Sequence, residues 1–427
     1  MKKVLIISYY FPPCNLTAAQ RIGSWEKYLP ENGFYPIVVT RNWTGEELTE
    51  VQRLQNSGTE IKHIKNEQSE IFYMPYRAAL RDRCFAKGQT NRFYRLMSKA
   101  LTAVYLVGQN FSLRFIPFNN LYYQAQTILK ANPDIQHLLI SGNPFEQFYF
   151  GYLLKKEFSE VKFIADYRDE WTTSEIINFS IFKNILWRFQ KFSEKKWIKM
   201  ADILCANTEY ASRKLHAFHN KKVEVLINGY EVPELSERQS KKNSHKLTIL
   251  HNGTLYPTQN LELLALGLSK IDVPENFVIE LLFPGIKIDK AVSRKIEKDF
   301  AHLPVQLSLS ERIPQKELFD LQLSADIMLM VAHKNKKGIV GSKLYEYIGL
   351  RKPILLCPTD GDEIEKTVMQ TGLGLVINNV EDLKVHLENL IKHKIENGEI
   401  TMNTNIMAIE AFSRRNQAKK LSKYLNQ

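Results

Sequence analysis

The chain has 427 residues, 44% of them hydrophobic and 24% charged, which at about 150 residues per domain leaves room for two or three cores. This balance excludes a disordered or fibrous chain, and no apolar run reaches the ~18 residues of a membrane-spanning helix. With 58 basic against 46 acidic residues the net charge is +12, a field that favours an anionic partner without choosing among nucleic acid, an acidic membrane surface and a phosphorylated ligand.

The first element is the apolar run Val4–Ser8. Behind Met1-Lys2-Lys3 it resembles the start of a signal peptide, but Phe11-Pro12-Pro13 interrupts it at once, and a buried strand accounts for it. A helix is predicted from Ala18 through Tyr28, capped by Thr17. Further β-rich runs follow at Pro36–Thr40, His137–Ser141, Lys162–Asp166, Asp202–Ala206 and Val223–Ile227. A second series comprises Leu247–His251, Val278–Phe283, Val305–Leu309, Ile327–Val331, Pro353–Cys357 and Gly374–Ile377. Runs such as Val4-Leu5-Ile6-Ile7 are apolar at consecutive positions, as a strand buried on both faces requires. Alternation with helices predicts two doubly wound α/β domains with parallel sheets.

Polar Glu231–Lys246, broken by Pro233, reads as a linker. The expected division is therefore a first domain over 1–230, the linker 231–246, a second domain over 247–408, and a terminal helix in 409–427 that can return to the first domain. Cys14, Cys84, Cys205 and Cys357 lie far apart with no C-x-x-C pair. A reducing, cytoplasmic setting is expected, with no zinc site.

Two segments carry concentrated basic charge. Tyr76 to Lys99 holds seven basic residues against Asp82, and Ile181 to Met200 holds six against Glu194, both interleaved with aromatic and aliphatic positions. Such helices can lie on an anionic membrane at its inner face, or simply pack their apolar face on their own sheet. No nucleic-acid module accompanies them, so nucleic acid is not the expected partner.

In open α/β sheets ligands bind beyond the carboxyl ends of the strands. Neither G-x-G-x-x-G nor G-x-x-x-x-G-K-[ST] is present. After the first strand, Arg21 lies one turn inside the helix, as a ligand contact or a structural ion pair. Asn143, in Ser141-Gly142-Asn143-Pro144, can donate to a ligand hydroxyl or merely make a turn. Asp166-Tyr167-Arg168-Asp169-Glu170-Trp171 concentrates three acids, an arginine and two aromatics behind one strand. Its carboxylates can bind sugar hydroxyls or act as a base, and Trp171 offers a stacking face. The alternative is that Arg168 neutralises Asp166 or Asp169 within a structural network.

In the second half, Gly253 allows close backbone approach to a phosphate and Thr254 offers a hydroxyl. Gly341-Ser342-Lys343 at a helix start presents amides, a hydroxyl and an ammonium to an anion. Glu346 lies on the same helix face, where it can accept from a ribose diol or pair with Lys343.

Taken in order, these pieces resemble the retaining, nucleotide-sugar-dependent glycosyltransferases of family 4, more narrowly bacterial members that build cell-surface polysaccharides. The matching residues are the Tyr9-to-Pro13 loop with Arg21, Asp166 to Trp171, Asn228-Gly229, His251 to Tyr256, Ser324-Ala325-Asp326, and Ser342 to Tyr347. The resemblance implies the GT-B architecture, two Rossmann-like domains facing a cleft, with the nucleotide on the second domain and the acceptor on the first. It implies a donor site of Gly253, Thr254, Ser342, Lys343, Glu346 and Arg21, an acceptor site with Asn143 and Trp171, and a reaction centre with Asp166, Arg168 and Asp169. No metal is expected, because basic groups and a helix terminus stabilise the leaving group. The donor would be a nucleotide sugar and the acceptor a saccharide or lipid-linked saccharide. Three departures stand out, the first being that the Tyr9-to-Pro13 loop lacks the glycine pair common in the family. Many members carry a glutamate eight positions before the ribose-binding one, where this chain has Gly338. Many also carry an Arg and a Lys soon after the glycine turn, where this chain has Thr258-Gln259-Asn260. These changes keep open a catalytically silent nucleotide-sugar-binding partner of another transferase and, further off, a nucleotide-sugar epimerase.

Overall fold

The computed structural model describes residues 1–14, 16–44, 51, 54, 57–174, 181–231 and 243–427, with side chains in the 181–198 helix from 184 onward. Most of the expected linker, 232–242, thus lies outside the described residues. The chain forms two units, Met1–Asn228 with Arg414–Gln427, and Gly229–Ser413.

The sheet of the first unit contains β1 (Lys2–Ser8), β2 (Phe34–Arg41), β3 (Lys62–Lys65), β4 (Glu70–Met74), β5 (His137–Gly142), β6 (Lys162–Tyr167), β7 (Ile203–Ala206) and β8 (Val223–Val225). Its order is β3-β4-β2-β1-β5-β6-β7-β8, parallel except for the antiparallel edge pair β3–β4. The sequence predicts every one of these strands except β3 and β4. Four helices matter below: α1 (Thr17–Tyr28), α2 (Leu80–Gly88), α3 (Arg92–Gly108) and α4 (Ile181–Ile198). Thr17 is the first residue of α1 rather than its cap; Leu16 holds the cap position and no side chain caps it.

The consecutive apolar residues of β1 divide between two cores. Leu5 and Ile7 enter one cluster with Leu138, Phe163 and Trp197, while Val4 and Ile6 enter another with Ile22 and Trp25 of α1. The helix Arg414–Leu425 completes the second cluster, burying Ala418, Leu421 and Leu425 on the same sheet face. Period-two alternation of side chains delivers both faces from one run of four residues.

The second unit holds a six-stranded parallel sheet of β9 (Lys246–Leu250), β10 (Val278–Phe283), β11 (Gln306–Leu309), β12 (Ile327–Met330), β13 (Ile354–Leu356) and β14 (Gly374–Val376). The order β11-β10-β9-β12-β13-β14 reverses direction of growth at β9/β12, the kind of switch point where open α/β sheets bind ligands. Helix α5 (Ser342–Gly349) follows β12. The four cysteines are buried and unbridged, and among the described residues no helix is long and apolar enough to cross a membrane.

Candidate functional site

The polar residues expected behind β6 take several different fates. Asp166 is 0% and Arg21 1% exposed, joined by a two-pronged ion pair: Arg21 Nη2 donates to Oδ1 at 2.7 Å and Nε to Oδ2 at 3.1 Å. Ser141 Oγ adds a third bond to Asp166, 2.7 Å. Arg21 also donates to the carbonyls of Ile227 (2.7 Å) and Leu226 (2.8 Å), and its guanidinium lies 4.8 Å from the Trp25 ring centre. A guanidinium so enclosed ties α1 and β6 to the chain after β8. In this arrangement neither Arg21 nor Asp166 presents a group to a ligand, which departs from the donor and reaction-centre roles expected of them. The physical reason is that two opposite charges taken out of water satisfy each other first.

Tyr167 turns inward and donates to Glu194 at 2.9 Å. Glu194 is fully buried and also receives the Thr172 amide, 3.2 Å, and hydroxyl. It anchors the loop after β6. Burial and this carboxylate push the Tyr167 phenol well above its ordinary pKa, so it stays a donor. Glu170 pairs with Lys214 at 2.6 Å. Trp171, expected as a stacking platform for acceptor, is itself stacked against Phe145 at 5.0 Å and 5°, with its indole donating to Gln190. Its ring is core, because a buried indole needs both an apolar bed and a partner for its N–H.

Asp169 remains at the surface, and Arg168 lies mostly buried beside it. They pair at 3.2 Å, Asp169 being 52% exposed at its side chain. Arg168 also donates to the backbone oxygen of exposed Asn143 at 3.1 Å and sits 5.8 Å from the Tyr10 ring centre. The first unit therefore brings Asn143, Arg168 and Asp169 together at the carboxyl ends of β5 and β6.

In the second unit the structure brings Gly253, Thr254 and Lys343 together. The loop after β9 turns at Gly253, φ +79°, whose N–H donates to the Pro284 carbonyl at 2.7 Å. Gly285 is also left-handed, φ +86°, and a Cβ there would lie 3.3 Å from Gly253 Cα. Two glycines thus let two strand-end loops touch through their backbones. Lys343 bends over this junction: Nζ donates to the Thr254 carbonyl at 3.0 Å and lies 3.5 Å from His251 Nε2. His251 Nδ1 is 2.9 Å from the Leu329 carbonyl, which assigns the ring proton to Nδ1 and leaves Nε2 as the acceptor. Burial, with Lys343 adding to it, lowers His251 to about 3, so the imidazole is neutral at pH 7. Burial lowers Lys343 to about 8, Glu346 opposing the shift.

Helix α5 is fastened to the same loop. Tyr347 donates to the Asn252 side chain and accepts from its amide at 3.3 Å. No side chain caps the helix at Gly341, so Ser342 and the first-turn amides lie at the loop end with the positive end of the helix dipole. Glu346 is exposed on the Lys343 side of the helix. Where the family has cations after the glycine turn, Thr258 hydrogen-bonds His333 at 2.6 Å and Gln259 donates to the Val331 carbonyl at 2.5 Å. These residues lock two loops together. Ser324-Ala325-Asp326 is structural as well: Asp326 accepts from the Thr248 amide at 2.9 Å and pairs with Lys394.

Arg312 is a residue that the motifs do not point to. Its Cγ would lie 3.9 Å from a Cβ on Gly285, which puts an exposed guanidinium stem beside the glycine junction. The strand-end rule, applied to the loop after β11, finds it. Among the described residues no group of three or more His, Cys, Asp or Glu side chains is arranged to hold a metal.

Comparison with known proteins bears on the fold. No protein-family model and no curated protein matches the chain. Solved structures do. A glycosyltransferase from Rickettsia africae superposes with a TM-score of 0.58 at 14% identity, over 99% of this chain and 97% of that one. HepE of Anabaena in complex with UDP gives 0.56 at 10% identity over the full length of both chains. The UDP-forming trehalose-phosphate synthase of Burkholderia xenovorans, bound to glucose-6-phosphate, gives 0.57 at 10%, again over both full lengths. The chain has two parallel Rossmann-like sheets and matches GT-B structures.

Proposed function

We propose that the chain is a nucleotide-sugar-dependent glycosyltransferase of the family 4 type, moving a sugar from a nucleoside diphosphate to an acceptor hydroxyl with retention, in the making of a cell-surface polysaccharide or glycolipid. The observation that carries the reading is the junction at the carboxyl ends of β9 and β10, where Lys343 stands over the touching Gly253 and Gly285 turns at an uncapped helix start. Backbone approach, fixed amides and a partly desolvated ammonium together suit a diphosphate. Glu346 then accepts from the ribose hydroxyls, Ser342 and Thr254 add donors, and the GT-B neighbours crystallised with UDP and UDP-glucose favour a UDP-sugar.

As the sugar–phosphate bond breaks, charge builds on the departing diphosphate, and Lys343 with the helix start stabilises it. Front-face attack lets a donor phosphate oxygen take the acceptor proton, so no protein nucleophile is required. Asn143, Arg168 and Asp169 bind and orient the acceptor, while Arg21 and Asp166 hold the β6 loop in place as positioning residues. The outer faces of α2 and α3 expose Leu80, Phe93 (68%), Leu96 (71%) and Val104 among Arg83, Lys87, Arg92, Arg95 and Lys99, and α4 exposes Ile185, Phe189 and Phe192. Apolar side chains within a basic field complement an anionic lipid surface, which suits a lipid-linked acceptor.

Calorimetry with UDP, GDP, ADP, CDP and dTDP tests the donor site. UDP is expected to bind best, and Lys343→Ala and Glu346→Ala each to weaken it by about tenfold or more. Absence of binding to every nucleotide would overturn the reading. The second reading, a silent sugar-nucleotide-binding partner, is favoured by the commitment of Thr258 and Gln259 to loop contacts; it predicts UDP binding without sugar release from any UDP-sugar.

A further inference from the structure

The first unit contains a cavity that the donor and acceptor contacts proposed above leave unused. It has a volume of 290 Å³ and opens beyond the carboxyl ends of β1 and β2, under the inner faces of α2 and α3. One wall is aromatic. Tyr10 and Trp43 stack at 5.4 Å and 19°, with Tyr9 edge-on to both, and Phe85 closes from α2. Arg41 is held behind this wall, 4.0 Å from the Trp43 ring centre and 4.1 Å from that of Tyr76. The opposite wall is polar, formed by Ser98 and Thr102 of α3 with Arg81 and Asp82 of α2.

We propose that this cavity is an acceptor subsite that takes one sugar ring. The inference rests on the transferase reading and adds to it the class of group that the first unit holds. Four observations lead to it. Aromatic faces beside a few fixed polar groups are the composition of a small-molecule site, and about 300 Å³ is the small end of that range. Ser98 is only 7% exposed, yet among the described residues its hydroxyl has no hydrogen-bond partner, while Thr102 Oγ1 donates back to the Ser98 carbonyl at 2.8 Å. The Ser98 hydroxyl lines the cavity and can bond an occupant there. Asp82 is held in the wall: its Oδ1 accepts from Arg81 Nε at 3.0 Å and its Oδ2 from Tyr76 at 2.6 Å, with Arg41 as the third charged lining residue. Guanidinium and carboxylate groups fixed side by side can donate to and accept from the hydroxyls of one ring. Finally, the Tyr10 ring that lines the cavity is the one beside the Arg168 guanidinium, so the cavity adjoins the Asn143–Arg168–Asp169 cluster.

In this arrangement the less polar face of the sugar lies against the aromatic wall of Tyr10, Trp43 and Phe85, and its hydroxyls meet Ser98, Thr102 and Asp82 on the far side. The same hairpin of α2 and α3 then has two uses, its inner face for the saccharide and its outer face for the surface carrying it.

Saturation-transfer NMR with the methyl glycosides of glucose, galactose, mannose and N-acetylglucosamine tests the proposal on the full chain, with UDP binding measured beside it. At least one glycoside is expected to receive saturation from the wild type. Tyr10→Ala, which removes the shelf, and Thr102→Trp, which fills the cavity, should each lower that affinity roughly tenfold and leave UDP binding unchanged. Circular dichroism and thermal melting of both variants confirm that the first unit is folded. No contact from any glycoside in the wild type, or contact undiminished in both folded variants, would overturn the subsite. Glycoside binding that obeys both variants in a protein that ignores UDP would support the subsite while the donor reading falls.

Discussion

Arg21 in the first unit and Lys343 in the second both stand near the ends of central strands, and the two units treat them in opposite ways. Arg21 in the first unit is fully enclosed and joined to a carboxylate by two hydrogen bonds. Lys343 in the second is held by one carbonyl and faces a neutral imidazole. An arginine with its forked donors matched to Asp166 is neutralised and becomes architecture. A lysine held by a dipole keeps its whole charge for something else, and its lowered pKa records the discomfort of that position. Density of charged residues in sequence therefore says less about a site than whether each charge has found its opposite inside the protein.

That contrast can be broken most forcefully at the ion pair. Arg21→Met or Asp166→Asn leaves an uncompensated charge in the core, and each should lower stability by about 3–5 kcal/mol in urea denaturation. A loss below about 1 kcal/mol would mean that the pair is not the structural element described. A smaller effect is expected from pH. Because Lys343 in the free protein titrates near 8, UDP binding should take up protons at pH 8 and weaken by about tenfold per unit above it, as read by calorimetry from pH 6.5 to 9.5. The sign for folding is the reverse. With its folded pKa below the unfolded value of about 10.4, Lys343 favours folding only above that value, and this contribution is lost as pH falls toward 8. UDP affinity flat through pH 9.5 would show that the ammonium is not the diphosphate's partner. The smallest effect concerns the outer face of the first unit. Arg92→Ala should weaken binding to phosphatidylserine vesicles by about fivefold at low salt, one basic residue near an anionic surface being worth about 1 kcal/mol. A wild type that ignores such vesicles would rule out the membrane contact.

Strands buried on both faces were legible because a short run of consecutive apolar residues between turn signals suits little else. The two edge strands were not. Lys62–Lys65 is exposed along its whole length, so no burial pattern marks it. Glu70–Met74 has β-rich side chains but lies next to that exposed edge, and only its parallel pairing with β2 identifies it. At the candidate site, Gly253 and Lys343 could be found from strand ends and helix starts, which are local signals. The fate of Asp166 depended on Arg21, 145 residues away, and that of Trp171 on the angle at which Phe145 meets it. Nothing local in the sequence marks Ser98 and Thr102; the fold sets them in the wall that faces Tyr10. Contacts distant in sequence carry no local trace, and these were the ones that decided which polar residues are structural.

The helix Arg414–Leu425 has a consequence for how the protein is born. It shares with α1 the cover of one face of a sheet whose first strand begins at Lys2, so that face is only partly covered while residues 229–413 are being translated. At the usual ~5–20 residues per second this delay is roughly 10–40 s. The cluster of Val4, Ile6, Val38, Leu139 and Ile164 lacks the apolar side chains of that helix throughout the interval. The core of the first unit is therefore completed only after the whole second unit has been made.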